Sequence, residues 1–468
     1  MLLSFIIVYC LLNLGIGYWA SRRVKSSTDF ALAGRNLPML VAASAMFATW
    51  FGSETVMGSS SEFVANGVLG IIQDPFGAAL CLLLVGLFFA RPLYQLNILT
   101  FNDYYRQRFG PRAEWVSAIF MIPSYFGWIA AQLLAIAFVL RVLTGMPIIW
   151  GTGLGAAIVV AYTYMGGMWA VSITDAVQTI FIILGLGWLA GQLYWEVGSL
   201  EALRKPLSAD FFRFTPPANF EAIMAYIVAW ITIGLGSIPQ QDVFQRVMSA
   251  RSAKTAVRAS LVSAFMYLSI AFLPLFIALC GKVLYPELLQ NNADPQQLLP
   301  NMVLLHGSFL LKVLFFGALL SAIMSTTSGA LLAPATVFAE NLVRPRWPGL
   351  RDVQLLRLMR GSLVGMALIS VVMANMQGNI HELVGQSSAL SLVSLFVPLL
   401  AGLYWPRANE TGALMAMGLG MAGWLFFEYW PIAVPATLMG LGLSFVGMGV
   451  GSATHSFFTS HTGNLTKK

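Results

Sequence analysis

Hydroxyl side chains crowd one short segment in the last third of the chain. Five of them fall within eight residues, and these are Ser321, Ser325, Thr326, Thr327 and Ser328. Hydroxyl and free carbonyl oxygens are hard donors that can replace water around a small cation such as Na+. Positions 322, 325, 326 and 329 share one helix face, which would present such donors to a neighbouring element. Hydroxyls that bond back to their own helix would instead let two helices pack closely, and both interpretations stay open.

A second group of residues combines an acid with aromatic and small side chains. Glu54 follows Trp50, Gly52 and Ser53 inside a long apolar stretch. A charged side chain inside an apolar span is costly and commonly marks a pathway or a partner. The composition predicts a helix broken near residues 51–53, because exposed backbone groups are tolerated in a membrane only beside a cavity. A helix kinked by close packing on its glycines is the alternative.

Two further acids, Asp74 and Asp175, stand next to apolar runs. Each lies near a predicted helix end, where a carboxylate can cap backbone N–H groups and complement the helix dipole. A position in a binding site and a position as a cap both agree with their place in the sequence.

The composition indicates what kind of element holds these residues. Of 468 residues, 58% are hydrophobic and only 10% are charged, whereas soluble domains average roughly 25% charged residues. A soluble enzyme, a nucleic-acid binder and a disordered chain are therefore excluded. Apolar runs of about 20 residues, each able to cross ~30 Å of hydrocarbon, predict an all-α integral membrane protein embedded in a lipid bilayer. About thirteen transmembrane helices are predicted, at 1–20, 39–67, 70–91, 113–142, 148–165, 173–195, 220–240, 258–281, 308–338, 359–377, 382–404, 410–429 and 431–452.

The basic residues predict the orientation of these spans. Most of the 26 Lys and Arg residues fall on one side if the N-terminus is outside, and that side is expected to be cytoplasmic. The predicted cytoplasmic loops hold basic clusters around Arg22, Arg106, Arg246 and Arg344, and the C-terminal Lys467 and Lys468 lie on the same side. The predicted location is a plasma or inner membrane, with the C-terminus in the cytoplasm.

A second interruption is predicted at residues 234–239, where Gly234, Gly236 and Pro239 follow an apolar run. A simple loop at the end of a span would give the same pattern. Broken helices in corresponding places of two halves are typical of inverted-repeat transporters with a binding site at the membrane midplane. The predicted organisation is a leading helix and loop (1–38), two five-helix inverted repeats (39–195 and 220–404) and two extra helices with a short tail (405–468).

Four motifs distributed along the chain give a family resemblance. They are Phe30–Pro38, Tyr164–Gln178, Gln245–Arg246 and Ala322–Thr326. With them the chain resembles the sodium:solute symporter family, whose members have the LeuT-like inverted-repeat fold. The resemblance implies a secondary active transporter that moves a small solute together with Na+ by alternating access. It does not imply an enzyme, and no metal-binding or nucleophile–base motif in the sequence suggests one.

The resemblance also implies ligands for sodium. Backbone carbonyls at positions matching Ala48, Phe51 and Ala322 hold the ion in that family, together with hydroxyls matching Ser325 and Thr326. Some members bind a second sodium ion through an acid matching Asp175 and two further hydroxyls. Ser328 matches one of these hydroxyls, whereas Gly329 stands at the position of the other.

Within the family the chain looks most similar to choline transporters. Trp50 and Trp128 match two tryptophans of the choline cage, and Gln240 stands where that branch has a third. A tryptophan face attracts a quaternary ammonium by about 2 kcal/mol when both are desolvated. Glu54 is an acid that this branch lacks, although sugar-carrying relatives have an acid there. The stacking tyrosine of those relatives corresponds to Gly236.

The charge of Glu54 gives an independent indication of the substrate. A buried carboxylate needs a cation close by to keep its charge, so an organic ammonium, choline-like or another amine, is the preferred substrate. A sugar or polyol, an amino acid or an organic acid is the alternative cargo, and a non-transporting membrane sensor is the alternative function. The predicted substrate-binding residues are Trp50, Glu54, Thr55, Gln73, Asp74, Trp128, Gln240 and Gln386.

Overall fold

The computed structural model describes residues 2–290, 293–376 and 378–465, and these residues are helical almost throughout. Within them the β-structure is limited to one isolated bridge between Leu37 and Ala250. The longer helices, numbered here in chain order, are α1 (Leu2–Ser21), α2 (Met39–Phe47), α3 (Glu54–Gln95), α4 (Pro111–Thr144), α5 (Ile148–Val197), α6 (Phe220–Gly236), α7 (Gln241–Ser249), α8 (Ala253–Leu284), α9 (Phe309–Arg346), α10 (Asp352–Ala374), α11 (Ile380–Tyr404), α12 (Glu410–Tyr429) and α13 (Ala436–Leu465). Shorter helices connect them at Ser27–Leu32, Phe101–Phe109, Leu200–Arg204 and Leu298–His306.

Both predicted helix breaks are confirmed. Helix α2 ends at Phe47, and the helix resumes as α3 at Glu54, so the interruption contains the predicted residues 51–53. Helix α6 ends at Gly236 and α7 begins at Gln241, with an angle of 46° between the two axes. Apolar runs that contain Gly, Ser and Pro therefore marked the interruptions correctly.

Two of the long helical runs turn at a residue with non-helical backbone angles. Helix α5 has 50 residues and would be ~75 Å long if straight, more than twice the hydrocarbon thickness. It turns at Gly167, whose φ of 49° lies in the left-handed region that glycine adopts without a penalty. Helix α3 contains a similar departure at Asp74, with φ −143° and ψ 123°.

Eight helices among the described residues are long and apolar enough to cross a membrane, or nine if the bent pair α6 and α7 counts as one span. The predicted number of about thirteen is not confirmed by this count. One reason is that the predicted spans 148–165 and 173–195 both fall within the single run α5. The orientation of the termini stays a prediction, and Lys467 and Lys468 lie outside the described residues.

Helix α9 forms the centre of the bundle. Its side chains are buried without interruption from Phe315 to Val337, as expected of a helix surrounded by other helices on all sides. Helices α4 and α5 pack along it, and the short α7 contacts both α9 and α2. The hydroxyl segment 321–328 is thereby placed beside the break between α2 and α3.

Candidate ion and substrate sites

The α2–α3 break meets the hydroxyl segment of α9 directly. The Thr326 hydroxyl donates a hydrogen bond of 3.1 Å to the carbonyl oxygen of Ala48. A Cβ on Gly52 would lie 2.6 Å from the Thr326 hydroxyl and 2.7 Å from the side-chain oxygen of Gln132. Only glycine therefore allows the break to approach α9 this closely. The structure brings together oxygen donors that the sequence places far apart.

The hydroxyls of α9 divide into two kinds. Those of Ser325 and Thr326 reach neighbouring elements, since Ser325 donates to the Asp175 carboxylate on α5. Those of Thr327 and Ser328 bond back to carbonyls of their own helix, at 2.5 and 2.7 Å. Back-bonding is thus observed for Thr327 and Ser328, whereas a role of Ser325 and Thr326 as cation ligands stays a prediction.

We call Ala48, Phe51, Ala322, Ser325 and Thr326 the ion site, because they are the predicted ligands of Na+. All five residues are completely buried. Ala322 lies one turn before Thr326 on α9, and Phe51 lies in the break with Ala48. Carbonyl and hydroxyl oxygens next to one carboxylate are the donor set that a small hard cation prefers. The residues present therefore fit Na+ in chemical type.

Asp175 lies about two turns after the bend of α5 at Gly167. It is therefore not at a helix start and does not cap that helix. Its free carboxylate oxygen is 3.8 Å from a guanidinium nitrogen of Arg246, and the two side chains are 0% and 1% exposed. The pair is consequently shielded from water and placed immediately beside Ser325.

The position of Arg246 differs from the one predicted from the distribution of basic residues. The sequence predicts a cytoplasmic loop at this residue, but the structure buries it completely within α7. Its Nε donates to the carbonyl of Ala45 at 2.7 Å, and a second nitrogen donates to the carbonyl of Asp242 at 3.2 Å. A Cβ on Gly329 would collide with the guanidinium. Arg246 therefore connects α2, α5, α7 and α9 at the ion site.

A second constellation surrounds Glu54, which is 1% exposed. The indole N–H of Trp128 donates to one carboxylate oxygen at 3.2 Å, and the Gln132 amide donates to the other at 2.5 Å. The Gln132 oxygen in turn accepts the backbone N–H of Ser53 at 3.0 Å. None of the ion pairs between described residues involves Glu54. Its carboxylate is thus held by neutral donors alone.

Asp74 is held in the same way on the other side of the break. Tyr267 and Ser59 donate their hydroxyls to its two oxygens, each at 2.7 Å. The Tyr267 hydroxyl also lies 2.6 Å from that of Thr55 and 3.3 Å from the carbonyl of Trp50. Asp74 is 1% exposed, so it belongs to a buried polar network and not to a helix end at the surface.

The predicted cage tryptophans are buried next to these acids, with Trp50 3% and Trp128 2% exposed. Tyr125 stacks on Trp128 with ring centroids 6.0 Å apart, and its hydroxyl donates to Asp242 at 2.5 Å. Trp128 is therefore fixed by a ring contact and by its hydrogen bond to Glu54. We call Trp50, Glu54, Thr55, Asp74 and Trp128 the substrate site, because they are predicted substrate-binding residues that lie together here.

The three predicted glutamines differ in their positions. Gln240 lies in the α6–α7 break and donates to Ser391 at 3.4 Å. Its oxygen and the amide nitrogen of Gln73 are buried, and neither has a hydrogen-bond partner among the described residues. Gln386 is exposed and donates to Glu382 at 3.1 Å. The structure does not bring Gln386 to the substrate site.

Sequence reasoning missed several residues that complete the two sites. Gln132 and Tyr267 bond to the acids directly, and Arg246 with Asp242 lies between the ion site and Tyr125. Gln132 was detectable in principle, because a lone amide within the apolar stretch of α4 is unusual in a membrane helix. Tyr267 carried no such signal, since aromatic residues are common in apolar helices.

A helical membrane bundle with two interrupted helices and buried polar sites beside them defines a secondary transporter. The chain belongs to the sodium:solute symporter family, whose model matches residues 30–420.

Relatives with known roles agree with this assignment. The chain is 28% identical to the high-affinity choline transporter 1 of Caenorhabditis elegans, over 89% of the chain and 76% of that protein. It is 27% identical to the human high affinity choline transporter 1, over 89% and 75%. The sodium/glucose cotransporter of Vibrio parahaemolyticus is 25% identical, over 92% and 85%.

Solved structures show the same fold. A Na+-coupled sialic acid symporter in a substrate-bound outward-open state superposes with a TM-score of 0.83 at 19% identity, covering 97% of each chain. The nucleobase-cation-symport-1 family transporter Mhp1 superposes with a TM-score of 0.64 at 15% identity, covering 91% of this chain and 94% of that one. The protein is accordingly an integral membrane transporter and not an enzyme, and its family implies sodium as the coupling ion.

Proposed function

We propose that the protein uses the sodium gradient to carry a small organic cation, an amine or quaternary ammonium, across the membrane. The observation that carries this proposal is the pair of buried carboxylates, Glu54 and Asp74, beside Trp50 and Trp128. Among the described residues neither acid forms an ion pair, and the basic side chain that interacts with the charge of Asp74 is His381. A buried negative charge without a counter-ion is strongly destabilising, so a positively charged ligand would complete the site.

The balance of buried charge supports this choice. Four buried carboxylates belong to the two sites or adjoin them, Glu54, Asp74, Asp175 and Asp242, whereas Arg246 is the only buried Lys or Arg among the described side chains. Arg246 and one Na+ balance the two acids near the ion site. The two acids of the substrate site then remain, and a monovalent ammonium substrate would balance one of them, so an organic acid is the least suitable cargo.

The aromatic residues favour an ammonium group in particular. Trp50 and Trp128 are both buried, and a cation–π contact with a desolvated tryptophan is worth about 2 kcal/mol. The relatives named for choline transport are consistent with this. A sugar or polyol is the second candidate, because the unpartnered amide atoms of Gln73 and Gln240 suit a ligand with several hydroxyls.

Coupling follows from the position of the α2–α3 break. Ala48, which serves the ion site, is only two residues from Trp50 and six from Glu54. Sodium bound to the Ala48 carbonyl would order the same short segment that the substrate contacts, so each ligand strengthens the binding of the other. One Na+ crossing 100 mV supplies ~2.3 kcal/mol, enough for about 50-fold accumulation.

Alternating access then requires the two predicted repeats, 39–195 and 220–404, to move against each other around these sites. In the orientation proposed from the basic residues, sodium and substrate enter from outside and leave into the cytoplasm. The ion site comprises Ala48 and Phe51 from one broken helix and Ala322, Ser325 and Thr326 from α9. Relative movement of these two elements would assemble or open the site.

A ligand screen tests the proposed cargo. The thermal unfolding of purified protein is measured with ammonium compounds, sugars, amino acids and organic acids, in NaCl and in KCl. We expect stabilisation by ammonium compounds in NaCl only, and loss of that stabilisation in Trp50→Ala. Trp188→Ala is the matched control, because Trp188 is 57% exposed on the outer surface of α5. Stabilisation by sugars alone would refute the ammonium proposal and favour the second candidate.

A further inference from the structure

We propose that the chain binds the headgroup of a membrane phospholipid with a primary ammonium group, phosphatidylethanolamine, at the end of the bundle where α4 begins and α9 ends. The site is a cavity of about 790 Å³ between these two helix ends, a volume typical of small-molecule pockets. The cavity is lined by residues other than those of the ion site and the substrate site.

The cavity lies at the level of the membrane surface. Its residues come from the start of α4, the end of α9 and the loop that follows α9, next to ends of the predicted spans 113–142 and 308–338. Trp115 and Trp347 are 44% and 60% exposed at this level, where tryptophan commonly contacts lipid headgroups. The basic residues predict that this side of the membrane is cytoplasmic. Basic pockets between membrane helices on that side are suited to phospholipid headgroups.

Charges of opposite sign are separated by depth in this cavity. Two arginines at its rim, Arg106 and Arg344, have side chains that are 57% and 48% exposed, and Arg346 is also exposed. The acidic side chains of Glu114 and Glu340 are only 3% and 11% exposed. The arginines therefore form the rim, whereas the acids form the floor.

The floor has a free acceptor. Asn341 donates its amide to Glu114 and to Asp103, each at 2.8 Å. Glu340 accepts a hydrogen bond of 2.6 Å from Arg344 with one oxygen. Its other oxygen is buried and has no hydrogen-bond partner among the described residues. Leaving a buried carboxylate oxygen without a donor is costly, so a ligand with N–H groups would complete the floor.

The rim has a free cation. Arg346 donates to the Leu342 carbonyl at 2.5 Å, and its guanidinium lies 5.7 Å from the centre of the Trp115 ring. None of the ion pairs between described residues involves Arg346. A guanidinium has five donors and binds the oxygens of a phosphate group in a forked geometry. Arg346 is thus available to a phosphodiester at the mouth of the cavity.

The order of charges in the cavity matches the order of charges in the proposed headgroup. In phosphatidylethanolamine the ammonium is farthest from the acyl chains, and the phosphate lies between them. The ammonium would reach Glu340 on the floor and the phosphate would meet Arg346 at the rim, while the acyl chains stay in the bilayer. With Asp103 behind the floor, three acids balance three arginines, so a zwitterionic headgroup suits the site better than an anionic one.

The same contacts predict selectivity among phospholipids. A choline headgroup carries three methyl groups in place of N–H donors and cannot satisfy the free oxygen of Glu340. A glycerol headgroup has hydroxyl donors but no positive charge for the acids of the floor. Because a hydrogen bond to a charged group is stronger than one between neutral groups, we expect phosphatidylethanolamine to bind at least about tenfold more tightly than either.

The test measures lipid binding to purified, delipidated protein in detergent. Phosphatidylethanolamine, phosphatidylcholine and phosphatidylglycerol with identical acyl chains are titrated separately, and bound lipid is measured by native mass spectrometry. Glycerophosphoethanolamine, the same headgroup without acyl chains, separates a lipid site from a site for a soluble phosphate ester. It should not bind at the concentrations at which the lipid does.

Three variants assign the roles of floor and rim. Glu340→Gln keeps the size of the side chain and removes its charge, so the preference for phosphatidylethanolamine over phosphatidylcholine should fall to within about twofold. Arg346→Gln should weaken binding of all three lipids by about tenfold, because all three contain the phosphodiester. Arg407→Gln is the matched control, since Arg407 is exposed and lies outside the cavity lining, and it should change neither quantity.

Four results would overturn the proposal. They are equal binding of phosphatidylethanolamine and phosphatidylcholine to the wild type, tighter binding of phosphatidylglycerol, a preference that persists in folded Glu340→Gln, and equal binding of glycerophosphoethanolamine. If Glu340→Gln does not fold, the ranking of lipids on the wild type and the effect of Arg346→Gln decide. The assay contains neither sodium nor a transported substrate, so its result is independent of the proposed function.

Discussion

Thr326→Ala should raise the sodium requirement of the protein, because it removes the hydroxyl that links α9 to the α2–α3 break. That hydroxyl is both a predicted Na+ ligand and the donor to the Ala48 carbonyl at 3.1 Å. The substitution therefore removes one oxygen from the ion and leaves a buried carbonyl without its donor. An interaction of this kind with a charged partner contributes about 1.5–3 kcal/mol.

This free energy corresponds to a roughly 10- to 150-fold increase in the sodium concentration that gives half of the maximal thermal shift. The assay is the sodium dependence of the substrate-induced shift in thermal unfolding, measured at constant ionic strength with choline chloride avoided as the replacement salt. Uptake into proteoliposomes at varied sodium concentration gives the same quantity independently.

The neighbouring residue supplies a matched control. Thr327 is equally buried, but its hydroxyl bonds back to the Ile323 carbonyl within α9 at 2.5 Å. Thr327→Ala should change the sodium requirement by less than about twofold, even if it lowers stability. Equal effects of the two substitutions, or wild-type sodium dependence in Thr326→Ala, would refute the assignment of Thr326 to the ion site.

Two further predictions concern the break itself. Glu54→Gln removes the negative charge of this side chain at the substrate site. It should weaken binding of an ammonium ligand, measured by isothermal titration calorimetry, by about 100-fold or more. Glu62→Gln changes a partly exposed acid further along α3 and should leave that affinity unchanged. Gly52→Ala places a methyl group 2.6 Å from the Thr326 hydroxyl, so we expect a destabilisation of about 1–3 kcal/mol and loss of stabilisation by Na+ in thermal unfolding. Gly191→Ala, where nothing lies within 4 Å of the added carbon, should do neither, and a sodium response retained in Gly52→Ala would contradict the close contact between the break and α9.

Local sequence signals located the breaks and the hydroxyl segment because their causes are local. Gly52 and Ser53 disfavour a continuous membrane helix at their own position, and so do Gly236 and Pro239 in the other half. The face shared by Ala322, Ser325 and Thr326 follows from helical periodicity alone. For these features no knowledge of the tertiary structure was needed.

Pairings across the fold were not predictable in the same way. The charge pattern predicts a cytoplasmic position for Arg246, because basic residues near span ends mark that side. In the structure it faces Asp175, 71 positions earlier in the chain. The Gln132–Glu54 bond joins residues 78 positions apart. Gln386 lies within the predicted span 382–404, where the sequence predicts a substrate contact, but its side chain is on an exposed face of α11. Such contacts depend on how helices pack, which composition and spacing do not specify.

The number of spans shows a related limit. The apolar runs on either side of Gly167 read as two separate spans in the sequence, and the structure continues helical backbone on both sides of that glycine. Hydropathy measures whether a segment prefers lipid, whereas the turn at Gly167 depends on a left-handed backbone conformation and close packing against Phe30. Hydropathy and backbone geometry therefore divide this part of the chain into different numbers of segments.

Sodium-driven uptake by the purified protein tests the central claim most directly. The protein is reconstituted in proteoliposomes, and uptake of a labelled quaternary ammonium compound is followed with an inward sodium gradient or an equal potassium gradient. The account predicts concentrative uptake with sodium that is absent with potassium and abolished in Glu54→Gln. Uptake that is equal in the two salts, or a sodium-driven flux of sugars with none of ammonium compounds, would contradict it.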